Sequence, residues 1–185
     1  MKPIIKFSVL AVLSMAILAA CSPRLYTDNP YEAGTLATSA LDSIRSFLQT
    51  NPTVKLKDTI FIKYDFNNDD CWSDLNGQNP EFMNNTRWAY QKGIQEKAYK
   101  RPQVAIYQYR EVGNNFSPLR SKGLEIETDP GILKQLLFKV KIKCGTSAII
   151  LPNGKFLLVK SDSHFSALLL DAKQIEQKLI ENLVK

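Results

Sequence analysis

The sequence has little of what most catalytic and nucleic-acid-binding sites require. Among its 185 residues there is a single histidine, His164, so a zinc site or a histidine general base would need unusual partners. Ser163 and Ser166 beside it do not complete a catalytic triad, and we expect this stretch to be a solvated loop. The sequence contains no Gly-rich phosphate loop, no internal repeat and no dense basic run. We therefore expect no cofactor, no metal and no nucleic-acid partner, and we attribute the modest excess of basic over acidic residues to solubility and loose attraction to anionic surfaces.

The N-terminus has the pattern of an exported lipoprotein. Lys2 and Lys6 precede an apolar run, residues 7–20, which is as long as a signal-peptide core and too short to span a bilayer. The run leads into LAAC, residues 18–21, which resembles the lipobox of bacterial lipoproteins, where the cysteine thiol is alkylated with diacylglycerol. We expect residues 1–20 to be a signal peptide and Cys21 to be lipidated, so that two or three acyl chains anchor the protein to a membrane. The alternative is a buried core helix that ends in a cysteine.

Removal of the signal peptide leaves a chain of ordinary size for one domain. Residues 21–34 are rich in Pro, Asn, Asp and Tyr, which is typical of a tether, so we expect the folded domain at residues 35–185. Ser22 favours the outer membrane, facing the periplasm, over the inner membrane, because the retention residue of enteric bacteria is an aspartate. We also expect a protein partner in the cell envelope.

Helix and strand patterns alternate along this domain. They predict helices at residues 36–48, 80–100 and 129–140 and from residue 171, and strands at residues 59–66, 103–109, 146–151 and 155–160. Asp129 and Asp171 are the predicted N-caps of the last two helices, and Asn153-Gly154 predicts a hairpin turn. The pattern indicates an α/β fold with a mixed central sheet and helices on both faces, preceded by an N-terminal helix. Four aromatic residues are expected in core or half-buried positions: Trp72, Trp88, Tyr90 and Tyr99.

This order of elements, over residues 58–185, resembles the thioredoxin-like proteins of bacterial envelopes, especially the membrane-tethered type that carries a dithiol. FNNDDC, residues 66–71, places Cys71 five residues after a phenylalanine, as in the family's F-W-A-x-W-C pattern. VKIKCGTSAIILPNGK, residues 140–155, is similar to the family's segment in which a threonine and a cis-proline precede a strand and a hairpin. The resemblance implies a thioredoxin-like fold with Cys71 at the start of a helix.

The same comparison shows two departures from the family. Asp74 stands where the second cysteine of Cys-x-x-Cys would be, and Gly145 stands at the cis-proline position. Dithiol chemistry needs a resolving thiol to attack the mixed disulfide, which Asp74 cannot do. In this fold the loop that precedes the cis-proline lies against the start of the helix bearing the first cysteine. The resemblance therefore implies that Cys71 and Cys144 are neighbours.

Three interpretations of the two cysteines remain open. They form a structural disulfide, which would stabilise the domain by about 3 to 4 kcal/mol, or a redox pair in which Cys71 attacks and Cys144 resolves, or two separate thiols. A helix N-terminus would favour the Cys71 thiolate, whereas the charges of Asp69, Asp70 and Asp74 disfavour it. We accordingly expect a non-catalytic scaffold or partner-binding module, with a thiol-disulfide oxidoreductase as the alternative.

The acidic stretch around Cys71 also invites a calcium interpretation, because hard cations bind carboxylate and amide oxygens. Its oxygen-bearing residues are Asp65, Asn67, Asn68, Asp69, Asp70 and Asp74. The stretch lacks the glycine and the glutamate of an EF-hand loop, so we expect a polar loop that caps a helix.

Overall fold

A computed structural model describes residues 29–67, 69, 71, 77–113 and 121–183. The expected signal peptide, residues 1–20, and the expected lipidation site, Cys21, lie outside the described residues, as do Trp72 and Asp74. Within the described part of the chain, no helix is both long and apolar enough to cross a membrane.

Six strands form one mixed sheet. They are β1 (Tyr31–Thr35), β2 (Thr59–Asp65), β3 (Val104–Glu111), β4 (Glu127–Asp129), β5 (Thr146–Ile150) and β6 (Lys155–Lys160). Their order across the sheet is β1-β6-β5-β2-β3-β4. β2, β3 and β4 run parallel, whereas β5 is antiparallel to β2 and each of β6 and β1 is antiparallel to its inner neighbour.

Helices cover both faces of this sheet. They are α1 (Thr38–Gln49), α2 (Pro80–Tyr99), α3 (Ile132–Leu136) and α4 (Ala172–Leu183), and a 3-10 helix (Ser166–Leu169) precedes α4. Apolar residues of α1 and α3 pack on one face with Ile60, Ile62 and Tyr64 of β2. Residues of α2 and α4 pack on the other face with Phe61. This alternation along β2 follows from the two-residue period of a strand, and it confirms the expected α/β class.

The sheet has a short strand at each edge, and the expected domain start at residue 35 leaves out the first of them. Residues 31–34, expected in the tether, belong to β1, which pairs with β6 along its whole length. Three residues, Glu127–Asp129, form β4 on the opposite edge. The folded part of the chain therefore begins before residue 35, because an edge strand gains its order from backbone pairing and needs no apolar pattern of its own.

The helix predicted at residues 129–140 is much shorter in the structure. α3 ends at Leu136, because the N–H groups of both Leu137 and Phe138 donate to the carbonyl oxygen of Leu133. Val140, which the pattern places on an apolar helix face, is 67% exposed. This prediction was therefore wrong beyond the first turn and a half.

Two of the aromatic residues expected in packed positions lie at the surface. Trp88 is 65% exposed and Tyr99 is 89% exposed, although both belong to α2. The inward face of α2 is instead formed by residues at helical spacing, two of which are polar: Met83, Arg87, Gln91 and Ile94. Met83 and Ile94 are thus buried, as apolar residues of this helix should be, but polar side chains complete the inward face, so apolar spacing alone does not define it.

Asp129 caps α3 from the end of β4. Its buried carboxylate accepts hydrogen bonds from the backbone N–H groups of Gly131, Leu133 and Lys134 at 3.0, 3.1 and 2.9 Å. It also accepts one from the hydroxyl of Tyr64 at 3.0 Å. Asp129→Ala should therefore lower the free energy of unfolding by about 2 to 4 kcal/mol, since four donors, of which the Tyr64 hydroxyl and the Leu133 N–H are buried, lose their acceptor. Urea denaturation of the purified variant measures this loss.

Asp171 provides the matched control. It accepts a 2.8 Å hydrogen bond from the backbone N–H of Gln174 and caps α4 as predicted, but it lies at the surface. Asp171→Ala should cost only about 1 kcal/mol, because water replaces the lost acceptor. Equal losses from the two alanine variants would contradict the role assigned to Asp129.

Candidate functional site at the Cys71–Cys144 disulfide

Cys71 lies in a turn beyond the end of β2. It follows Asp65, the last residue of β2, by six positions, and it is partly exposed. Among the described residues, the next α-helix is α2, which begins at Pro80, where the side chain of Asn79 caps the N-terminus. Residues 72–76, which follow Cys71 directly, lie outside the described residues, so the position that the family resemblance implies, at the start of a helix, stays a prediction. No dipole of α2 stabilises its thiolate, because that effect falls off within the first turn.

Cys144 and Gly145 form a tight bend immediately before β5. Both have left-handed backbone conformations, with φ angles of 67° and 71°. This region suits glycine, but a residue with a side chain pays roughly 1 to 2 kcal/mol there, so the surrounding contacts must hold Cys144 in place. Cys144 is only 2% exposed.

The structure joins these two residues by a disulfide. The Cα atoms of Cys71 and Cys144 lie 4.8 Å apart, although 73 positions separate the residues in the chain. The bond connects the turn after β2 to the bend before β5, and these two strands are antiparallel neighbours in the middle of the sheet. Both sulfur atoms are thereby brought to one end of the sheet.

Asp69 connects the same two segments a second time. One carboxylate oxygen accepts a 2.9 Å hydrogen bond from the backbone N–H of Cys71, and the other accepts a 2.9 Å hydrogen bond from the backbone N–H of Gly145. A carboxylate that accepts two backbone donors fixes both segments and keeps a negative charge beside the disulfide. The sequence indicated Asp69 as a nearby charge and as part of a possible calcium loop, but it gave no sign of this contact, which depends on where two distant N–H groups meet.

A buried ion pair lies directly against the bend. Lys63 is 1% exposed, and its ammonium group pairs with the carboxylate of Asp65 on the same face of β2. A Cβ atom placed on Gly145 would collide with the ammonium group and lie 2.6 Å from the carboxylate oxygen of Asp65. Sequence reasoning also missed this pair. The signal was present, because Lys63 interrupts an apolar strand two residues before an acid, and that spacing places both on one face.

Further polar groups surround this ion pair. Burial, together with the carboxylates of Asp65 and Asp162, raises the pKa of Tyr90. The carboxylate of Asp162 accepts hydrogen bonds from the backbone N–H groups of Ser166 and Ala167, so it caps the 3-10 helix. The backbone N–H of Asp162 donates to the carbonyl oxygen of Gly145 at 3.4 Å. The bend is thus attached to polar groups from three other segments of the chain.

The acidic stretch does not assemble as a cation site among the residues that the structure describes. Asp65 pairs with Lys63, and Asp69 accepts backbone N–H groups, so neither carboxylate is turned toward a shared centre. No group of three or more His, Cys, Asp or Glu residues in the described ranges has the arrangement of a metal site. Asn68, Asp70 and Asp74 lie outside those ranges. His164 is exposed in a turn, as expected for a solvated loop.

Comparison of the chain with protein-family models, with curated proteins and with solved structures finds no significant match. The function of this protein must therefore be inferred from the geometry of this site and from the sequence.

Gly145 should tolerate no side chain. Gly145→Ala places a Cβ atom 2.6 Å from the carbonyl oxygen of Tyr64, in addition to forcing alanine into a left-handed conformation. We expect the free energy of unfolding to fall by about 3 kcal/mol or more, since strain and overpacking act together. Gly123→Ala is the matched control, because Gly123 has a φ angle of 80° and no atom within 4 Å of the new Cβ. Its expected loss is about 1 kcal/mol, and a similar loss at both positions would show that the bend is not closely packed.

Glu111, at the end of β3, lies beside the same loops. Burial opposes its ionisation, but hydrogen bonds from Lys134 and from the backbone N–H of Asn67, together with the charges of Lys134 and Lys141, lower the pKa of its carboxyl. A lowered folded-state pKa stabilises the protein above the unfolded-state value of about 4.3, and this contribution disappears as the pH falls through the folded-state pKa. The wild-type protein should therefore lose stability on acidification below about pH 4.

Glu111→Gln should remove part of that dependence. The variant should be less stable than the wild type at pH 7, and the difference should shrink below about pH 4. Glu176→Gln, at an exposed position of α4, controls for the change in net charge. Urea denaturation at a series of pH values checks the prediction, which an unchanged difference across this range would contradict.

Proposed function

We propose that this protein is a lipid-anchored lipoprotein of the bacterial cell envelope, with a thioredoxin-like body that acts as a non-catalytic scaffold or partner-binding module. The proposed anchor is Cys21, and the proposed site is the outer membrane, facing the periplasm. The thioredoxin-like part is supported by the parallel strands β2 and β3, joined through α2, and by the β5–β6 hairpin that leads to α4. These elements occur in the order that the family resemblance implies, with β1 and β4 added at the two edges.

The observation that carries the non-catalytic role is the environment of the disulfide. Cys71 stands in a turn well before Pro80, so the N-terminus of α2 does not provide the activation that the start of a helix gives a thiolate. The carboxylate of Asp69 contacts the backbone on both sides of the bond, and a nearby negative charge disfavours the thiolate that exchange would release. Both features favour a bond that holds two loops together over one that opens and closes.

A partner-binding role is supported by the outer surface of α2. Trp88 and Tyr99 expose large aromatic side chains there, and such residues are enriched at interfaces between proteins. The proposed partner is another protein of the cell envelope.

Removal of the disulfide should destabilise the domain without removing a catalytic activity. The double variant Cys71→Ser/Cys144→Ser should lose about 2 to 4 kcal/mol in free energy of unfolding, because the bond closes a long loop of the unfolded chain. With excess dithiothreitol and a disulfide-containing test protein such as insulin, the wild type should show no turnover above that of the double variant. Urea denaturation and a turbidity assay measure the two effects on the purified mature protein.

The turbidity assay tests the non-catalytic role, and urea denaturation tests whether the bond stabilises the domain. Turnover by the wild type that Cys71→Ser abolishes would overturn the non-catalytic proposal. A double variant as stable as the wild type would show that the bond does not hold the domain together. Mass spectrometry of the mature protein, with Cys21→Ser as the matched control, tests whether Cys21 carries a diacylglycerol group.

One observation favours the oxidoreductase as a second candidate. Cys71 is partly exposed while Cys144 is buried, and the ammonium group of Lys63 lies against the bend that bears Cys144. An incoming thiolate could bond to the Cys71 sulfur and release the Cys144 thiolate, which would have a cation close by. The turnover assay described above distinguishes this candidate from the scaffold.

A further inference from the structure

The chain enters the folded domain at the end of the sheet that holds the disulfide. Tyr31 pairs with Val159, and the carbonyl oxygen of Pro30 accepts a 2.8 Å hydrogen bond from the backbone N–H of Lys160, the last residue of β6. Lys160 pairs in turn with Thr146, the first residue of β5, which follows the Cys144–Gly145 bend. The point where the tether leaves the sheet is therefore only two strand spacings, about 10 Å, from the start of β5.

The length of the tether limits how far this end of the sheet can lie from the anchor. The chain between the proposed lipidated residue, Cys21, and the start of the described fold at Asn29 is short. Fully extended, eight residues span at most about 30 Å, whereas a domain of this size is on the order of 40 Å across. When the tether runs directly to the membrane, the end of the sheet where the chain enters at Tyr31 is therefore closer to the anchor than the opposite end.

The loop before Cys144 has the charge that an anionic lipid surface attracts. In KVKIK, residues 139–143, all three lysines are exposed, and Val140 between them is 67% exposed. The loop lies at the end where β3 finishes, because the charge of Lys141 acts on Glu111.

We propose that the disulfide end of the domain faces the bilayer, with the loop of residues 139–143 against anionic lipid headgroups. This proposal rests on the lipid anchor proposed above and adds an orientation to it. Lysines near an anionic surface are attracted to it within a Debye length, and Val140 can enter the headgroup boundary between them. A partner that contacts the Cys71 turn must then itself be bound to or embedded in the same membrane.

Lysine labelling on vesicles tests this orientation. The lipidated mature protein is reconstituted into vesicles with 30% phosphatidylglycerol in phosphatidylcholine, and its lysines are acetylated briefly and quantified by peptide mass spectrometry. Compared with protein in neutral detergent micelles, Lys139, Lys141 and Lys143 should be labelled at least threefold more slowly. The reference lysines are exposed and lie near strand ends at the opposite side of the sheet: Lys55, Lys100 and Lys155. The change in the labelling rates of these reference lysines should be less than half of the change at Lys139, Lys141 and Lys143.

Two triple variants with the same change in charge provide the matched control. In the wild type, binding to anionic vesicles should also slow the backbone hydrogen exchange of residues 138–143. Lys139→Gln/Lys141→Gln/Lys143→Gln should abolish this slowing. Lys55→Gln/Lys100→Gln/Lys155→Gln should preserve it. The same protection is expected to weaken on vesicles of phosphatidylcholine alone. Equal protection of the two ends, or greater protection of the reference lysines, would overturn the orientation.

Intact-mass measurement separates the two proposals. A lipidated protein with equal labelling at both ends refutes the orientation and leaves the anchor in place. A mature protein without diacylglycerol at Cys21 refutes the anchor, and with it the orientation that depends on the tether.

Discussion

The fold depends on the connection between the turn after β2 and the bend before β5. Both segments lie beyond the backbone ladder of the sheet, so regular hydrogen bonding does not hold them together. The disulfide between Cys71 and Cys144 joins them covalently, and Asp69 joins them again by accepting an N–H group from each. The two links stabilise the fold by different routes, because the bond restricts the unfolded chain whereas the carboxylate satisfies donors in the folded one. Together they hold Cys144 in a conformation that its side chain disfavours.

The position of this bend also explains how the core accommodates a charged pair. Lys63 lies in the middle of a buried strand, and such an ammonium group requires a counter-charge and polar neighbours. Asp65 supplies the charge, and the backbone carbonyl oxygen of Tyr64 lies 3.5 Å from the ammonium nitrogen. Gly145 leaves the space that the pair occupies, since any Cβ atom there would overlap it. The glycine, the ion pair and the disulfide are therefore parts of one arrangement, and a change in any of them should disturb the other two.

Sequence patterns predicted the elements that depend on local chemistry. Asn153-Gly154 indicated the hairpin and Asp171 indicated the start of α4, since turns and caps depend on residues a few positions apart. The pattern could not predict β1, whose order comes from pairing with a strand far along the chain. The proximity of the two cysteines was implied by resemblance alone, and the double contact of Asp69 has no counterpart in residue spacing. Lys63 differs from these, because its place in an apolar strand could have identified the buried pair.

The concentration of these links at one end of the sheet has a consequence for binding. Loops that bind a surface lose conformational entropy when they become ordered, and this loss subtracts from the affinity. The segment of residues 139–143 leads directly into Cys144, which is held by a covalent bond and by the hydrogen bonds around Gly145. Its lysines are therefore presented from a bend that is already fixed, and less entropy remains to be lost on contact with headgroups or with a partner protein. A disulfide that catalyses nothing would still contribute to binding in this way, by holding the loop beside it in one conformation.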